Sequence, residues 1–410
     1  MNNRLFKDTQ SRWSQRLWDA GGILFIFLAG SSLCWHTPYF WISGLGRLPV
    51  LPDRWCFLAL LAGAYGTALI LTRRVAATPL CSRIPGVFLG VCSGFLVFSA
   101  LIFVMRLYYS RSFWLFAFGV SFVWLYIGQR LFFSAAQIRY GFTPGSQIQE
   151  LKKEWRDNFL EIASPNASEL FDVLVISPYQ EKRLSPEWTR YITDMMIQGV
   201  PMAHPGAVYE FFSGRLPLRY MVEGPGVVIR APGNYLRFKR LFDWILLLLL
   251  GFPALIVMGL AALGALCCSG RPVFFVQERI GRNGAPFRMV KFRSMTESGE
   301  VTAIGRFLRK YHIDELPQLW NVLLGEMSFI GPRPETPELT HRYTEEIPFY
   351  PYRYSVLPGL TGWAQVHCGY ASAVGENRVK LSYDLYYVKH ASFLLDLLIV
   401  LKTIKTILAG

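Results

Sequence analysis

Apolar residues in this chain collect into long runs before any alternation sets in. Four such runs, roughly Leu17–Trp35, Trp55–Thr72, Gly86–Met105 and Phe113–Phe133, fill its N-terminal part. Each approaches the ~20 residues that a helix needs to cross a ~30 Å hydrocarbon layer. Aromatic residues such as Trp35, Tyr39, Trp41, Trp55 and Trp114 stand near their ends, at the depth that amphipathic rings prefer. A buried helical core would account for any one run, whereas four in succession predict a bundle of transmembrane helices over residues 1–134.

The short connections set the orientation. Arg4, Lys7, Arg12 and Arg16 precede the first run, Arg47 and Arg54 lie in the first connection, and Arg73, Arg74 and Arg83 in the second. Arg106 and Arg111 occupy the third connection, and Arg139, Lys152 and Lys153 follow the fourth run. Positive residues are retained on the cytoplasmic side, so the alternation places the N-terminus and everything after Phe133 in the cytoplasm. The basic, polar stretch before Leu17 lacks a small-residue cleavage site and predicts no removable signal peptide.

The pattern then changes. Residues 135–236 are more polar, with a strand-like VLVIS (Val173–Ser177), a helical period from Pro186 to Gln198 and a short VPM strand. That is a β-α-β fragment, a truncated Rossmann-like unit, read as a scaffold or an oligomerisation domain, with a homodimer as the corresponding expectation. Neither GxGxxG nor GxxxxGK[ST] accompanies it, so nothing there supports nucleotide binding.

A fifth apolar run, Phe242–Cys268, is long enough to span. Arg237, Lys239 and Arg240 precede it and the basic stretch Arg271–Arg293 follows, so neither end favours translocation. Pro253 sits near its middle, where it removes a backbone donor and bends a helix. These features predict a re-entrant helix over residues 242–268 with its break at Pro253; a proline-kinked crossing helix is the alternative. Asp243 is expected to pair with Lys239 or Arg240 as an anchor.

Composition agrees with a membrane protein. Apolar residues make up 52%, charged residues only 17%, and the net charge is +14; soluble domains usually carry about a quarter charged residues. The positive balance calls for anionic partners, either membrane lipids or phosphorylated substrates. Nucleic acid is not expected, since no recognised binding motif appears. The seven cysteines lie mostly in apolar runs and show no metal-binding spacing.

The chemistry concentrates in Asp314–Glu335, DELPQLWNVLLGEMSFIGPRPE. Adjacent acids ahead of an apolar turn could simply cap a helix N-terminus. Their surroundings point further. Arg333 is held between Pro332 and Pro334, and Arg271–Arg293 carries six Lys/Arg against the single acid Glu278. In PFRMVKFRSM, Arg288, Lys291 and Arg293 alternate with apolar residues, which predicts a strand presenting cations, with Arg282 nearby, on one face. Carboxylates beside fixed positive charge are what phosphoryl chemistry requires. Gly359–Val366 (GLTGWAQV) reads as a turn entering a strand.

In order, KRLFD (Lys239–Asp243), the proline-broken run, KFRSM, DELPQLWNVLLGEMSFIGPRPE, PGLTGWAQV and YDLYYVK (Tyr383–Lys389) resemble the bacterial sugar transferases, the polyprenyl-phosphate hexose-1-phosphate transferases. The resemblance covers residues 237–410, and the preceding architecture looks like that of larger members priming exopolysaccharide or O-antigen synthesis. It implies a mostly α monotopic catalytic domain with a re-entrant membrane helix, joined to a transmembrane bundle and an α/β cytoplasmic domain, in the bacterial inner membrane with the catalytic domain on the cytoplasmic face. It implies transfer of sugar-1-phosphate from a UDP-sugar to undecaprenyl phosphate, with Mg2+ and release of UMP. By the same resemblance Asp314 is the nucleophile and Glu315 its partner and metal ligand. Arg333 with Pro332 and Pro334 is the phosphate-binding motif, with Arg282, Lys291, Arg293 and Gln365 as further substrate contacts. Phe252 replaces the usual serine before Pro253, and Leu357 stands where a basic residue is common. A catalytically inactive membrane scaffold binding anionic lipid or an assembly partner is the contrasting expectation; a lipid-linked sugar transporter fits less well, because no intramembrane charge pair or broken repeat pair is evident.

Overall fold

The structure is a computed structural model that describes residues 14–26, 51–76, 83–106, 111–132, 138–143, 158–165, 171–176, 185–218, 231–269, 271–296, 299–368 and 374–409. It divides into two compact units, Met1–Pro205 and Gly206–Gly410.

In the first unit residues 14–26 are helical, and α1 (Leu51–Ala76), α2 (Arg83–Val104) and α3 (Arg111–Phe132) follow. Part of the first expected span, residues 27–35, lies outside the described residues. Windows in α1, α2 and α3 are long and apolar enough to cross a membrane. They pack through Phe57, Leu61, Tyr65, Val87, Val91, Phe95, Phe113 and Leu125. Between α1 and α2 the backbones come close: a Cβ on Gly94 would stand 2.6 Å from the Ala64 carbonyl, and one on Gly90 2.8 Å from the Thr72 nitrogen. Small residues spaced this way are the usual means of packing helices where lipid removes the hydrophobic drive.

The polar middle supplies β1 (Tyr140–Phe142), β2 (Phe159–Glu161), β3 (Val173–Val175), α4 (Pro186–Ile197) and β4 (Met202–Ala203). The strands form one sheet in the order β2-β1-β3-β4 with every pairing parallel. A parallel pair needs a crossover, and α4 provides it between β3 and β4, laying Ile192 against Ile162 and Leu174.

The second unit opens with α5 (Pro205–Ser213) and α6 (Gly233–Ser269), then the hairpin β5 (Phe274–Ile280) and β6 (Pro286–Phe292), and α7 (Ala303–Lys310). A 3-10 stretch Ile313–Gln318 leads into α8 (Leu319–Leu324) and β7 (Ser328–Ile330). After these come α9 (Pro337–Glu346), a second 3-10 stretch Tyr350–Ser355, β8 (Gly359–Thr361), α10 (Val374–His390) and α11 (Phe393–Ala409).

Helix α6 is continuous through Pro253 over 37 residues. Its two ends pack on the same unit. At the first end Lys239 pairs with Asp396 of α11, while Asp243 accepts from the Ser328 hydroxyl at 3.0 Å and the Phe329 amide at 3.3 Å. Arg240 donates to the Val322 carbonyl. Thus the lysine and arginine expected beside Asp243 have been drawn to other elements. At the far end Met258, Ala261 and Ala262 pack with Phe292, Ile304 and Leu308. Between these contacts Leu248, Leu249, Phe252, Leu255 and Ile256 are exposed.

β7 and β8 run parallel, and their ends bring the Gly331 turn against Gly359. A Cβ on Gly331 would lie 2.3 Å from the Leu357 carbonyl, so only glycine permits this approach. In GLTGWAQV the strand comes first and the turn follows at Trp363, because Gly359–Thr361 is captured by β7.

Candidate active site

Asp314 and Glu315 stand in the first turn of the 3-10 stretch that follows α7. His312, between α7 and this stretch, has a left-handed φ of 54°, an uncommon conformation for a residue with a side chain. Pro317 and the start of α8 end the stretch. Asp314 is buried and, among the described residues, its carboxylate accepts no hydrogen bond and forms no ion pair. It therefore does not act as a helix cap. Burial, and then the neighbouring Glu315 charge, hold its carboxyl above the usual range, while Lys291, Arg309 and His312 pull the other way.

Glu315 meets Arg333, whose Nη2 donates to Oε1 at 2.7 Å. The two residues approach because α8 carries the chain away from Glu315 and β7 returns it to the Gly331-Pro332-Arg333 turn. Pro332 and Pro334 are buried, and the Arg333 side chain remains half-exposed. Lys291 is the next cation. Burial lowers its pKa, with Arg279 contributing in the same direction and the two carboxylates opposing.

β6 does not present its basic residues on one face. Phe287 and Met289 are buried and Arg288 is exposed; Lys291 shares the parity of Phe287, and a period of two sends Arg288 to the opposite side. Arg288 pairs across the hairpin with Glu278, and Lys291 with Phe275, over whose ring its Nζ lies at 5.2 Å. Arg282 falls in the hairpin turn. From Pro286 to Lys291 the strand rises about 17 Å, so the fold separates Arg282 from Lys291. Arg282 lines a small pocket at the root of α6 with Lys239, Arg240 and Asp243. Arg293 leaves the strand and donates to the Met295 carbonyl at 3.1 Å. Gln365 turns back on its own segment, donating to the Leu360 carbonyl at 3.2 Å.

The carboxylates thus gather Lys291 and Arg333 of the expected residues, and two cations that the sequence reading passed over. Arg309, in the last turn of α7, donates to Ser294 Oγ at 2.8 Å and is among the charges acting on Asp314. Arg279 of β5 donates to the Pro334 carbonyl at 3.2 Å and faces Glu335. The arrangement has two poles, with Lys291 and Arg309 on Asp314 and with Arg333 bonded to Glu315 and backed by Arg279.

A family model described as bacterial sugar transferase matches residues 234–410. A relative from Aeromonas hydrophila, named UDP-N-acetylgalactosamine-undecaprenyl-phosphate N-acetylgalactosaminephosphotransferase, is 32% identical over 99% of this chain and 99% of its own. This chain belongs to the bacterial sugar transferase family. A Bacillus subtilis member named uncharacterized sugar transferase EpsL is 39% identical over 42% of this chain and 88% of its own length. A Klebsiella pneumoniae member named UDP-glucose:undecaprenyl-phosphate glucose-1-phosphate transferase is 39% identical, over 41% of this chain and 39% of its own. What the sugar transferases share with it therefore centres on the second unit, while the Aeromonas relative resembles the whole.

Two signals could have exposed the overlooked cations of this sugar transferase. Arg279 belongs to the counted basic block, and its position beside Glu278 on a strand puts the two on opposite faces. Arg309 sits one turn before the acid pair, in GRFLRKYHIDE.

Proposed function

We propose that this protein transfers a sugar-1-phosphate from a UDP-sugar to undecaprenyl phosphate and releases UMP. The observation that carries the reading is Asp314, a buried carboxylate without a hydrogen-bond partner among the described residues, set between cations and next to the Arg333–Glu315 pair. Relatives named for the same acceptor add support.

An ionised aspartate needs no general base. One Asp314 oxygen attacks the sugar-bearing phosphorus, and the bond from that phosphorus to the bridging oxygen breaks. The electron pair leaves on UMP. A phosphate oxygen of the lipid then attacks the same phosphorus and expels Asp314 as a carboxylate. Splitting the transfer in two spares the enzyme from bringing two mutually repelling phosphorylated substrates together. Lys291 and Arg309 neutralise charge near Asp314, and Arg333 with Arg279 near Glu315. Among the described residues no cluster of three or more His, Cys, Asp or Glu side chains forms a metal cage. The pair fits a cation of the kind that takes one or two carboxylates and completes its shell from substrate phosphates, as Mg2+ does. Glu315 would hold it, and it would supply further charge neutralisation on the diphosphate.

The catalytic unit belongs on the cytoplasmic face of the inner membrane. Helix α6 enters and returns on that face: both of its ends pack on one unit, its middle is apolar and exposed, and basic residues flank it. Pro253, which removes a backbone donor within this continuous helix, is where α6 would bend to return. A non-catalytic scaffold would keep the basic surface but release nothing. Purified protein in nanodiscs, given undecaprenyl phosphate, Mg2+ and a panel of UDP-sugars including N-acetylgalactosamine and glucose, will release UMP with at least one donor. No release with any donor would contradict the proposal.

A further inference from the structure

YDLYYVK takes no part in the steps above, yet its Asp384 is only 2% exposed and meets Arg353, itself 5% exposed, at 2.8 Å. Arg353 also donates to the Tyr350 hydroxyl at 2.5 Å. Its Nη2 reaches the carbonyl of Arg333 at 2.9 Å, and Glu335 stands 3.9 Å from its Nη1.

That carbonyl matters because of its neighbours. Proline has no N–H, so the Pro332-Arg333-Pro334 segment is gripped chiefly by its carbonyls. The Pro332 carbonyl accepts from the Gly359 amide at 2.9 Å and the Pro334 carbonyl from Arg279 at 3.2 Å. Between them, Arg353 holds the carbonyl of the residue whose side chain meets Glu315. We propose that Arg353, anchored by Asp384, is a positioning residue that fixes Arg333 where it meets Glu315 and the donor's phosphates. This rests on the transfer reading above.

A buried ion pair is a poor device for stability alone, since apolar side chains of similar volume often serve as well or better. It is a good device for direction, because charge-assisted hydrogen bonds are short and geometrically demanding. Burial pushes the Asp384 carboxyl up to about 6, against the pull of Arg353. Glu335 and Lys380 also act on it, Tyr350 and Cys368 are coupled to it, and Arg353 carries the opposing charge. Its folded value lies above the unfolded ~3.9, so its contribution to stability is present below that value and lost as pH rises through about 6. Positioning needs the anion and has the opposite dependence, appearing as pH rises through the same range. Stability and turnover therefore respond in opposite senses.

The test uses the full chain in nanodiscs with a UDP-sugar and undecaprenyl phosphate. At pH 8, Asp384→Asn raises the donor KM and lowers kcat/KM by about tenfold or more, and the acid limb near pH 6 flattens. Asp384→Glu restores part of the loss, and Arg353→Lys behaves like Asp384→Asn. In an Arg333→Ala background, Asp384→Asn adds less than about twofold, because the residue it acts through is gone. Thermal melting identifies any variant that has failed to fold, in which case Asp384→Glu and Arg353→Lys carry the comparison. Full additivity with Arg333→Ala, or an unchanged donor KM and acid limb in folded variants, overturns the proposal alone. Absence of UMP release from the wild type overturns the transfer reading and this proposal with it.

Discussion

Asp314 is the residue on which the chemistry turns: a largely buried carboxylate left free of hydrogen bonds and ion pairs among the described residues, with Lys291 and Arg309 acting on it. Asp314→Asn, isosteric and uncharged, is expected to abolish transfer while leaving the fold intact, measured as UMP release beside a melting curve. Asp314 adds its own contribution to the loss of activity in acid, separate from the limb near pH 6 that belongs to Asp384. Attack requires the anion, and burial with the adjacent Glu315 holds the Asp314 carboxyl above the ordinary range. Activity should fall as pH drops through that raised value, earlier than an unperturbed carboxylate near 3.9 would allow. Arg309→Ala and Arg279→Ala each remove a charge-assisted contact and are expected to lower kcat/KM by about 10- to 100-fold. Asp314, Glu315 and Arg333 were legible in the sequence because an acid pair and a proline-clamped arginine are local patterns. Arg279 and Arg309 were not singled out, since each reaches the site from a separate element.

Among the elements, α5 and the turn after it deserve the closest test. They precede the region matched by the family model, yet Glu210 bonds Lys389 at 2.8 Å and His390 at 2.5 Å, and Leu216 is fully buried against Tyr343, Tyr354 and Leu385. The Trp363 indole donates to the Gly214 carbonyl at 2.9 Å, which ties this segment to the residues that follow β8. Leu216→Ala should cost about 2–5 kcal/mol, read as a lowered melting temperature. Burial raises the Glu210 carboxyl, but the bonds from His390 and Lys389 outweigh it and leave it lowered. Its stabilisation is therefore present above the unfolded ~4.3 and lost as pH falls through the folded value. Glu210→Gln should destabilise the protein at pH 7 and matter little in strong acid. Periodicity found β3, α4 and β4, because their patterns are self-contained. It misjudged the cations of β6, where side-chain parity overrides proximity in sequence, and it offered no sign of Glu210 meeting α10, a contact between residues far apart in the chain.

In the whole molecule, α1, α2, α3 and α6 each carry a stretch long and apolar enough to cross a membrane. Net charge and hydropathy made a membrane protein legible, and the proposed path of α6 rests on its flanking charges and Pro253. A single cysteine placed near Ser269 in an otherwise cysteine-free chain should be labelled by impermeant reagent only from the cytoplasmic side. Labelling only from outside would mean that α6 crosses. The chemistry has a more direct test. Full-length protein mixed with UDP-sugar in the absence of lipid acceptor, quenched and digested, is examined by mass spectrometry for the peptide containing Asp314. The account predicts a phosphosugar adduct on that aspartate, lost on adding undecaprenyl phosphate and missing in Asp314→Asn. Wild-type enzyme that turns over donor and acceptor yet never carries the adduct would contradict it.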